Sequence, residues 1–351
     1  MSTVPRNDSC RPRVLVIAGV DSSGGAGLVA DREAADAAGA DVVCVTTAHT
    51  VQSDAGLVEL GARAASEWLE EARRIVRAAA WPEIGDQQDE GLAEAKHISA
   101  ATPFGAIKFG LLPGLEHVRA AEQLVTEVRA LAPMMPVVLD PVLGPTSGGR
   151  FLDEEGVAQL CAWAARGALV LTPNLPEACE LMRASESDGA LALMRGSEWS
   201  GASGSIEERE TLGEGESTGA CDSVDAMVSI DISASDTTRV DAVPDDRDDA
   251  HQLANPEEWI TRVPRSECGT VLLKGGHGAG DPMRDLLLVP GGAVHAFEHS
   301  RHPSTGIRGS GCRLATRLAV ELARGCRMSE ATAVAIGYIS GLIVSSIQTP
   351  E

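Results

Sequence analysis

The chain has 351 residues, a length that suits one large α/β domain or two ordinary ones. Hydrophobic residues make up 44% of it and charged residues 23%, which excludes a disordered chain, a collagen-like fibre and a coiled coil. The net charge of −22 repels a phosphate backbone, so we expect no nucleic-acid partner.

No uninterrupted apolar run reaches the roughly 18 to 20 residues that a membrane span needs. The first apolar run, residues 14–18, continues into a polar glycine-rich turn and not into a cleavage site. We therefore expect a cytoplasmic protein without a membrane partner. The eight cysteines include no C-x-x-C pair, so the sequence predicts neither a zinc site nor a disulfide framework.

Short apolar runs alternate with amphipathic stretches along the chain. Strands are predicted over residues 14–18, 42–47, 105–109, 137–139, 168–171, 270–273, 285–289 and 293–297. Helices are predicted over residues 28–38, 64–80, 115–131, 153–165, 174–182, 310–324 and 329–347. This alternation predicts an α/β fold in which parallel β-α-β units form a mostly parallel sheet with helices on both faces.

One long segment interrupts the alternation. Residues 185–250 are rich in Ser, Gly, Asp, Glu and Thr and have few large apolar side chains to offset the entropy of folding. We expect an acidic, disordered insertion within a single domain that covers residues 1–351. The polar stretch 83–97 is a shorter candidate of the same kind.

A glycine-rich turn, AGVDSSGGAG, spans residues 18–27 between the first predicted strand and helix. Such a turn lets a ligand approach the backbone closely and directs free N–H groups at it. The pattern is neither G-x-G-x-x-G nor a P-loop. On these residues alone, a tight structural turn explains it equally well.

The segment TPNLPE covers residues 172–177, directly after a predicted strand. Asn174 and Glu177 are three residues apart at a helix start, where an amide oxygen and a carboxylate can hold Mg²⁺ directly or through its waters. A simple helix cap uses the same two residue types at the same spacing. From this segment alone, the cap is the favoured interpretation.

The segment GSGC, residues 309–312, opens an alanine-rich helix. Its small residues expose backbone N–H groups at the positive end of the helix, which suits a phosphoryl group in transfer. A helix N-terminus also lowers a thiol pKa, so Cys312 is a candidate base or nucleophile. The alternative is a glycine-rich cap beside an inert cysteine.

Two further segments follow predicted strands. Lys274 begins KGGH, where a cation and flexible backbone can border a nucleotide. Asp140 begins DPVLGPTSG, where the carboxylate can organise a metal ion or a phosphate, or cap a turn ahead of Pro141. If the sheet is doubly wound, all of these segments meet at the carboxyl ends of its strands.

Seven segments, in this order, resemble the hydroxymethylpyrimidine/phosphomethylpyrimidine kinases of thiamine biosynthesis, a family of the ribokinase-like superfamily: AGVDSSGGAG, TAHTVQ, AIKFGLL, VVLDPVLGPTSGGRFLD, LVLTPNLPEA, VLLKGGH and GSGC. The resemblance covers about residues 13–182 and 268–345. It implies a three-layer α/β/α fold. It also implies an enzyme that uses ATP and Mg²⁺ to phosphorylate 4-amino-5-hydroxymethyl-2-methylpyrimidine and then its monophosphate. It also implies a small-molecule substrate as the partner and allows a homodimer.

The same resemblance implies a role for each matching residue. Ring binding falls to Gly19, Asp21 and Gln52. Nucleotide binding falls to Asp140, Thr172 and Lys274, and magnesium binding to Asn174 and Glu177. Gly309 and Gly311 supply the anion hole, and Cys312 stands where most ribokinase relatives place a catalytic Asp that takes the hydroxymethyl proton. The base is then a thiolate, or its role is shared with the anion hole.

The chain departs from the family pattern at two places. Where the family usually reads NTHGTGCT, residues 306–313 read GIRGSGCR, so that Arg308 and Arg313 replace a His and a Thr. Residues 52–54 read QSD in place of QNT. These two arginines raise one alternative function, a catalytically decayed regulator that binds a pyrimidine or a nucleotide. The resemblance raises another, a pyridoxal kinase, because close relatives phosphorylate a similar hydroxymethyl-bearing ring.

Overall fold

The computed structural model describes residues 11–53, 56–80, 104–144, 150–166, 169–187, 229–232, 269–277, 282–290, 293–301 and 307–348. The strands in chain order are β1 (Arg13–Asp21), β2 (Asp41–Ser53), β3 (Gly56–Ala62), β4 (Ala106–Phe109), β5 (Val137–Leu139), β6 (Val170–Leu171), β7 (Ser229–Ile232), β8 (Thr270–Leu273), β9 (Met283–Leu288) and β10 (Val294–His299). The helices are α1 (Gly27–Ala37), α2 (Ala65–Ala80), α3 (Leu115–Leu131), α4 (Glu154–Ala165), α5 (Leu175–Ser187), α6 (Ser310–Ala323) and α7 (Met328–Gln348).

All of these strands join one sheet in the order β3-β2-β1-β4-β5-β6-β8-β9-β10-β7. The run from β2 to β8 is parallel, and the strands outside it pair in antiparallel fashion. The reversal of connection at β1, between β2 and β4, is the kind of point at which open α/β sheets bind ligands.

Helices cover both faces of the sheet, as the sequence predicts. Helices α2, α3, α4 and α5 pack on one face, and α1, α6 and α7 pack on the other. Residues 14–18 of β1 are all apolar because both faces of the strand are covered: Leu15 and Ile17 face the first layer, and Val14 and Val16 face the second. A strand buried on both faces has no polar alternation.

The sequence interpretation missed parts of the sheet. Strand β3 is an antiparallel edge strand paired with β2, and its short alternating segment, GLVELGA, carries little apolar signal. Strand β7 lies inside the predicted insertion 185–250 and pairs with β10, so these four residues depart from the prediction of disorder. Helix α5 also extends to Ser187. The rest of 185–250, and the stretch 83–97, lie outside the described residues.

Helix α7 corrects the expectation about apolar length. Its segment Met328–Ile347 is long and apolar enough to cross a membrane by length and composition, with a mean hydropathy of 1.5. Interspersed Gly, Ser and Thr residues break it into shorter apolar runs, so the sequence contains no uninterrupted apolar run of that length. Because Ala331, Ala335 and Ile336 pack into the layer formed with α1 and α6, the helix has a role in the core.

Candidate active site

Three side chains that follow neighbouring parallel strands meet at one point. Oδ1 of Asp140, after β5, accepts hydrogen bonds from Thr172 Oγ1 at 3.1 Å and from Lys274 Nζ at 2.9 Å. Thr172 follows β6 and Lys274 follows β8. The three residues predicted to bind the nucleotide are therefore in direct contact, because parallel strands end at the same edge of the sheet.

Both charges of this contact persist at neutral pH. Burial alone would raise the pKa of Asp140, but Lys274, Lys108 and the hydrogen bonds that it accepts hold the pKa below its ordinary value. Burial alone would lower the pKa of Lys274, but the carboxylates of Asp140 and Glu177 raise it. Lys274 is thus a permanent cation and Asp140 a permanent anion at the carboxyl ends of the parallel strands.

The loop after Lys274 is fixed by a buried carboxylate on the next strand. Gly275 donates its backbone N–H to Asp285 Oδ1 at 2.6 Å, and His299 Nε2 lies 3.2 Å from Asp285 Oδ2. A Cβ on Gly275 would collide with the carbonyl oxygen of Arg284. The glycine is therefore required for close contact with β9, and it keeps Lys274 in place.

Asn174 and Glu177 form a reciprocal helix cap at the start of α5. Asn174 Oδ1 accepts from the Glu177 N–H at 2.9 Å, and Glu177 Oε2 accepts from the Asn174 N–H at 2.8 Å. This is a capping box with Asn in the first position. The structure thus shows the cap that sequence reasoning offered as the alternative to a metal site.

The cap still leaves Glu177 in the electrostatic field of the nucleotide residues. Burial raises the pKa of Glu177 to about 7, against the opposing effect of Lys274, and Asp140 adds to the rise. Within the described residues, no group of three or more His, Cys, Asp or Glu side chains could hold a metal ion. Magnesium commonly binds through one or two carboxylates together with substrate phosphates, so the Asp140 and Glu177 carboxylates fit it as a donor set.

The glycine-rich turn packs against the start of α6. A Cβ on Gly27 would collide with the carbonyl oxygen of Gly19, and a Cβ on Gly309 would collide with that of Gly25. Gly309 has a φ of +72° and Gly27 a φ of +59°, backbone that favours glycine. Two glycine contacts therefore bring the first loop and the predicted anion hole together.

Gly311 links this cluster to the nucleotide residues. A Cβ at Gly311 would lie 3.0 Å from Lys274 Nζ and 3.5 Å from Asp140 Oδ2. The backbone N–H groups that open α6 consequently lie beside a cation, where helix and side chain both favour a negative group. This confirms in geometry that the predicted segments converge.

Cys312 lies where the N-terminal ends of two helices meet. It belongs to the first turn of α6, and the backbone N–H of Gly27, the first residue of α1, points at its sulphur. The expected low thiol pKa is not found, since burial raises the pKa of Cys312 to about 12 against the opposing effect of Lys108. Desolvation outweighs the helix ends, and the group is a thiol at neutral pH.

Asp21 is buried at the end of β1 and is held by its own loop. Ser23 donates its backbone N–H to Asp21 Oδ1 at 3.2 Å and its hydroxyl to Oδ2 at 2.7 Å. Gly19 lies at an irregularity of β1, and a Cβ there would be 2.7 Å from Leu111 Cδ2. Gln52 lies in β2 opposite Leu57, and its side chain is outside the described part of the chain.

Sequence reasoning missed a buried ion pair below Cys312. Lys108, in the middle of β4, donates to Asp31 Oδ1 at 2.9 Å, and Thr316 donates to the same oxygen at 2.7 Å. Both charged side chains have no solvent exposure. A lysine inside the apolar strand AIKF was the available signal, because a charge buried in a sheet needs a partner.

The two departures from the family pattern have different surroundings. Arg313 is buried and donates to the carbonyl oxygens of Gly25, at 3.2 Å, and Arg308, at 2.6 Å, and it pairs with Glu33. Its guanidinium therefore ties the first loop to the segment before α6. Arg308 lies on the solvent side of the same junction, paired with Asp21.

Comparison with known proteins places these features in a family. A sequence model of phosphomethylpyrimidine kinase matches residues 90–195 and 246–350, together more than half of the chain. The thiamine biosynthesis multifunctional protein ThiED of Corynebacterium efficiens is 26% identical over 315 residues, which cover 90% of this chain and 30% of that protein. The hydroxymethylpyrimidine/phosphomethylpyrimidine kinase of Streptomyces coelicolor is 27% identical over 344 residues, which cover 98% of this chain and 93% of that protein.

Among solved structures, the pyridoxal kinase of Bacillus subtilis in an ADP complex superposes with a TM-score of 0.58 at 19% identity, covering 94% of this chain and 91% of that one. This likeness confirms the expected three-layer, ribokinase-like fold. The chain spans less than a third of the first relative's length and nearly all of the second's. Since one family's sequence model accounts for most of the described α/β core, the chain belongs to the phosphomethylpyrimidine kinase family.

Proposed function

We propose that this chain is an ATP-dependent kinase that phosphorylates 4-amino-5-hydroxymethyl-2-methylpyrimidine and then the monophosphate. One observation carries the proposal: a Cβ on Gly311, at the start of α6 and next to Cys312 in the chain, would lie 3.0 Å from Lys274 Nζ and 3.5 Å from Asp140 Oδ2, so the start of this helix adjoins the Lys274–Asp140 pair. A transferred phosphoryl group needs backbone N–H donors and a cation at a single place. The name of the Streptomyces coelicolor relative supports the choice of substrate.

The nucleotide side of the site is formed by the residues after β5, β6 and β8. Lys274 supplies a positive charge for the phosphates, and Asp140, itself fixed by a hydrogen bond from Thr172, holds the Lys274 ammonium group in one position. If magnesium were bound here, it would offset the negative charge of the phosphates. Asp140 and Glu177 are the carboxylates that would hold it, while Asn174 keeps Glu177 at the start of α5.

The acceptor side is formed by the glycine-rich loop and Cys312. In phosphoryl transfer the acceptor oxygen bonds to the γ-phosphorus as the bond to ADP breaks, and the hydroxyl proton leaves late, to a phosphoryl oxygen or water, so the transition state has little need of a strong base. Because its pKa is about 12, Cys312 supports the second of the two expected roles. It orients the hydroxymethyl oxygen by hydrogen bonding, and the N–H groups of α6 carry the developing charge.

Release of ADP in a coupled assay tests the proposal with three acceptors: the hydroxymethylpyrimidine, its monophosphate and pyridoxal. We expect turnover of both pyrimidines with kcat/KM well above that for pyridoxal. Turnover of pyridoxal alone would replace the proposal with the alternative of a pyridoxal kinase, an enzyme of the same fold. Binding without turnover of any acceptor would support the decayed regulator.

The position of Arg313 argues against decay. Its guanidinium points into the junction between two loops, where Gly25, Arg308 and Glu33 satisfy it. It therefore strengthens the support of the anion hole and does not fill the space beside Cys312. The replacement of a Thr by this arginine is compatible with an active site.

A further inference from the structure

An ion pair closes the junction between the first loop and α6. Arg308 NH2 lies 3.1 Å from Asp21 Oδ2, and the arginine side chain is 44% exposed while the aspartate side chain is 3% exposed. The pair thus joins a residue at the end of β1 to the residue before Gly309. It lies where the glycine-rich loop meets the start of α6, the part of the site that the proposed function assigns to the acceptor.

The backbone of Arg308 is fixed although its guanidinium is not enclosed. Arg313 holds the Arg308 carbonyl oxygen at 2.6 Å and, through the same nitrogen, the Gly25 carbonyl oxygen at 3.2 Å. The aliphatic part of Arg308 lies against Gly25, where an ideal Cβ would be 2.9 Å from Arg308 Cδ. The side chain therefore has a defined starting position at the rim.

Asp21 does not depend on Arg308 for its hydrogen bonds. Ser23 donates to both of its oxygens, so the carboxylate remains paired when the guanidinium moves away. Arg308 can exchange Asp21 for a stronger partner, because these hydrogen bonds continue to stabilise the Asp21 carboxylate. A phosphate dianion is such a partner, because it offers a guanidinium two acceptor oxygens and more charge than a carboxylate.

The other cations near Cys312 are committed to protein partners. Lys108 is fully buried against Asp31, Lys274 is 15% exposed against Asp140, and Arg313 is 10% exposed against Glu33. Of these four cations, Arg308 has the most exposed side chain, at 44%. Arg308 and Arg313 both lie at the junction with the first loop, and Arg308 lies on its solvent side.

We propose that Arg308 determines specificity for the phosphorylated acceptor by exchanging Asp21 for the acceptor's phosphate. The inference rests on the proposed function. With the uncharged alcohol bound, Arg308 stays on Asp21 and contributes little. With the monophosphate bound, the guanidinium offsets the repulsion between the acceptor's phosphate and the incoming phosphoryl group.

The test compares wild type with Arg308→Gln, using both pyrimidines in steady-state kinetics and in calorimetric binding without ATP. We expect the variant to raise KM and Kd for the monophosphate by about tenfold or more, the scale of a lost charge-assisted hydrogen bond. We expect less than about a twofold change for the alcohol and for ATP. Arg308→Lys keeps the positive charge but loses the two-pronged guanidinium. Its KM and Kd for the monophosphate should lie between those of wild type and Arg308→Gln.

Two further variants separate specificity from structure. Gly25→Ala adds a Cβ against Arg308 Cδ and should reproduce part of the effect while Arg308 remains in the chain. Arg119→Gln is the matched control, since Arg119 is an exposed arginine paired with Glu116 at 2.8 Å on α3. We expect Arg119→Gln to change no acceptor constant.

Equal losses for both acceptors in Arg308→Gln would show that the ion pair only holds the loops together, and would overturn the proposal. A change in the ATP constants alone, or no change at all, would also overturn it. If wild type turns over neither acceptor, the proposed function fails. Calorimetry then still decides whether Arg308 selects the monophosphate over the alcohol.

Discussion

Lys274 donates a hydrogen bond of 2.9 Å to Asp140 although the two residues are 134 positions apart in the chain. The pair exists because β5, β6 and β8 are adjacent and parallel, so that the residue after each strand reaches the same edge. Its charges are poorly hydrated and depend on each other.

Replacing Lys274 by Ala should therefore lower both stability and activity. Removing one partner of a buried ion pair typically costs about 3 to 5 kcal/mol, because the other charge is left uncompensated. Urea unfolding measures the loss, and the double variant with Asp140→Asn should recover part of it. A loss in Lys274→Ala no larger than that in the exposed control Arg119→Ala would contradict the role given to the pair.

Asn174→Ala tests the capping box. Loss of an N-cap side chain costs about 1 kcal/mol of stability, and here it also frees Glu177 from one partner. We expect a lower melting temperature. The magnesium concentration needed for activity should change little, because Asn174 acts on the metal site only by positioning Glu177. A large rise in the magnesium requirement at an unchanged melting temperature would instead make Asn174 a metal ligand.

Glu177 should make stability depend on pH. Its pKa is raised from 4.5 to about 7 by burial, so the folded state binds a proton that the unfolded state releases. Its contribution to the free energy of unfolding is complete below pH 4.5 and is lost as the pH rises through about 7. Between pH 5 and pH 8 the wild type should lose stability relative to Glu177→Gln, as measured by urea unfolding. A constant difference over that range would contradict the raised pKa.

Cys312 should behave as an unreactive thiol despite its place at a helix start. With a pKa of about 12, its alkylation by iodoacetamide, followed by mass spectrometry, should show no inflection between about pH 6 and 9. Cys312→Ala should lower kcat by about 10²-fold, the scale of a lost proton-transfer or positioning group, and leave ATP binding unchanged. Near-normal turnover in that variant would remove Cys312 from the mechanism.

The next prediction concerns whether the predicted acidic insertion is needed for folding and activity. We propose that residues 188–228 are dispensable, because their composition supplies few apolar groups and a longer loop costs only about 0.6 kcal/mol per doubling of its length. Replacing them with a short Gly/Ser linker that retains β7 should preserve soluble expression and most activity. A second deletion that also removes β7 serves as the comparison, since β7 pairs with β10. Loss of soluble expression in the first variant would show that the segment is structural.

Sequence patterns predicted the repeating architecture because each parallel strand is an apolar run buried on both faces, as Leu15 and Val16 show. They could not predict β3 or β7, which are short edge strands whose pairing depends on neighbours distant in sequence. At the site, the residue types after each strand were sufficient to predict convergence at Asp140. The prediction of a low pKa for Cys312 was wrong. Burial raises this pKa, and burial depends on how the layers assemble and not on the helix start alone.

The contact between Asp31 and Thr316 joins positions 285 residues apart, so the candidate site is complete only after α6 has been synthesised. The ribosome makes β1 to β6 and Lys108 long before it makes α6, which supplies the anion hole and the second partner of Asp31. A nascent chain halted before α6 has most of its sheet but leaves the layer around Val14 and Val16 uncovered. Such long-range closure is slow and leaves apolar surface exposed until α6 packs onto it.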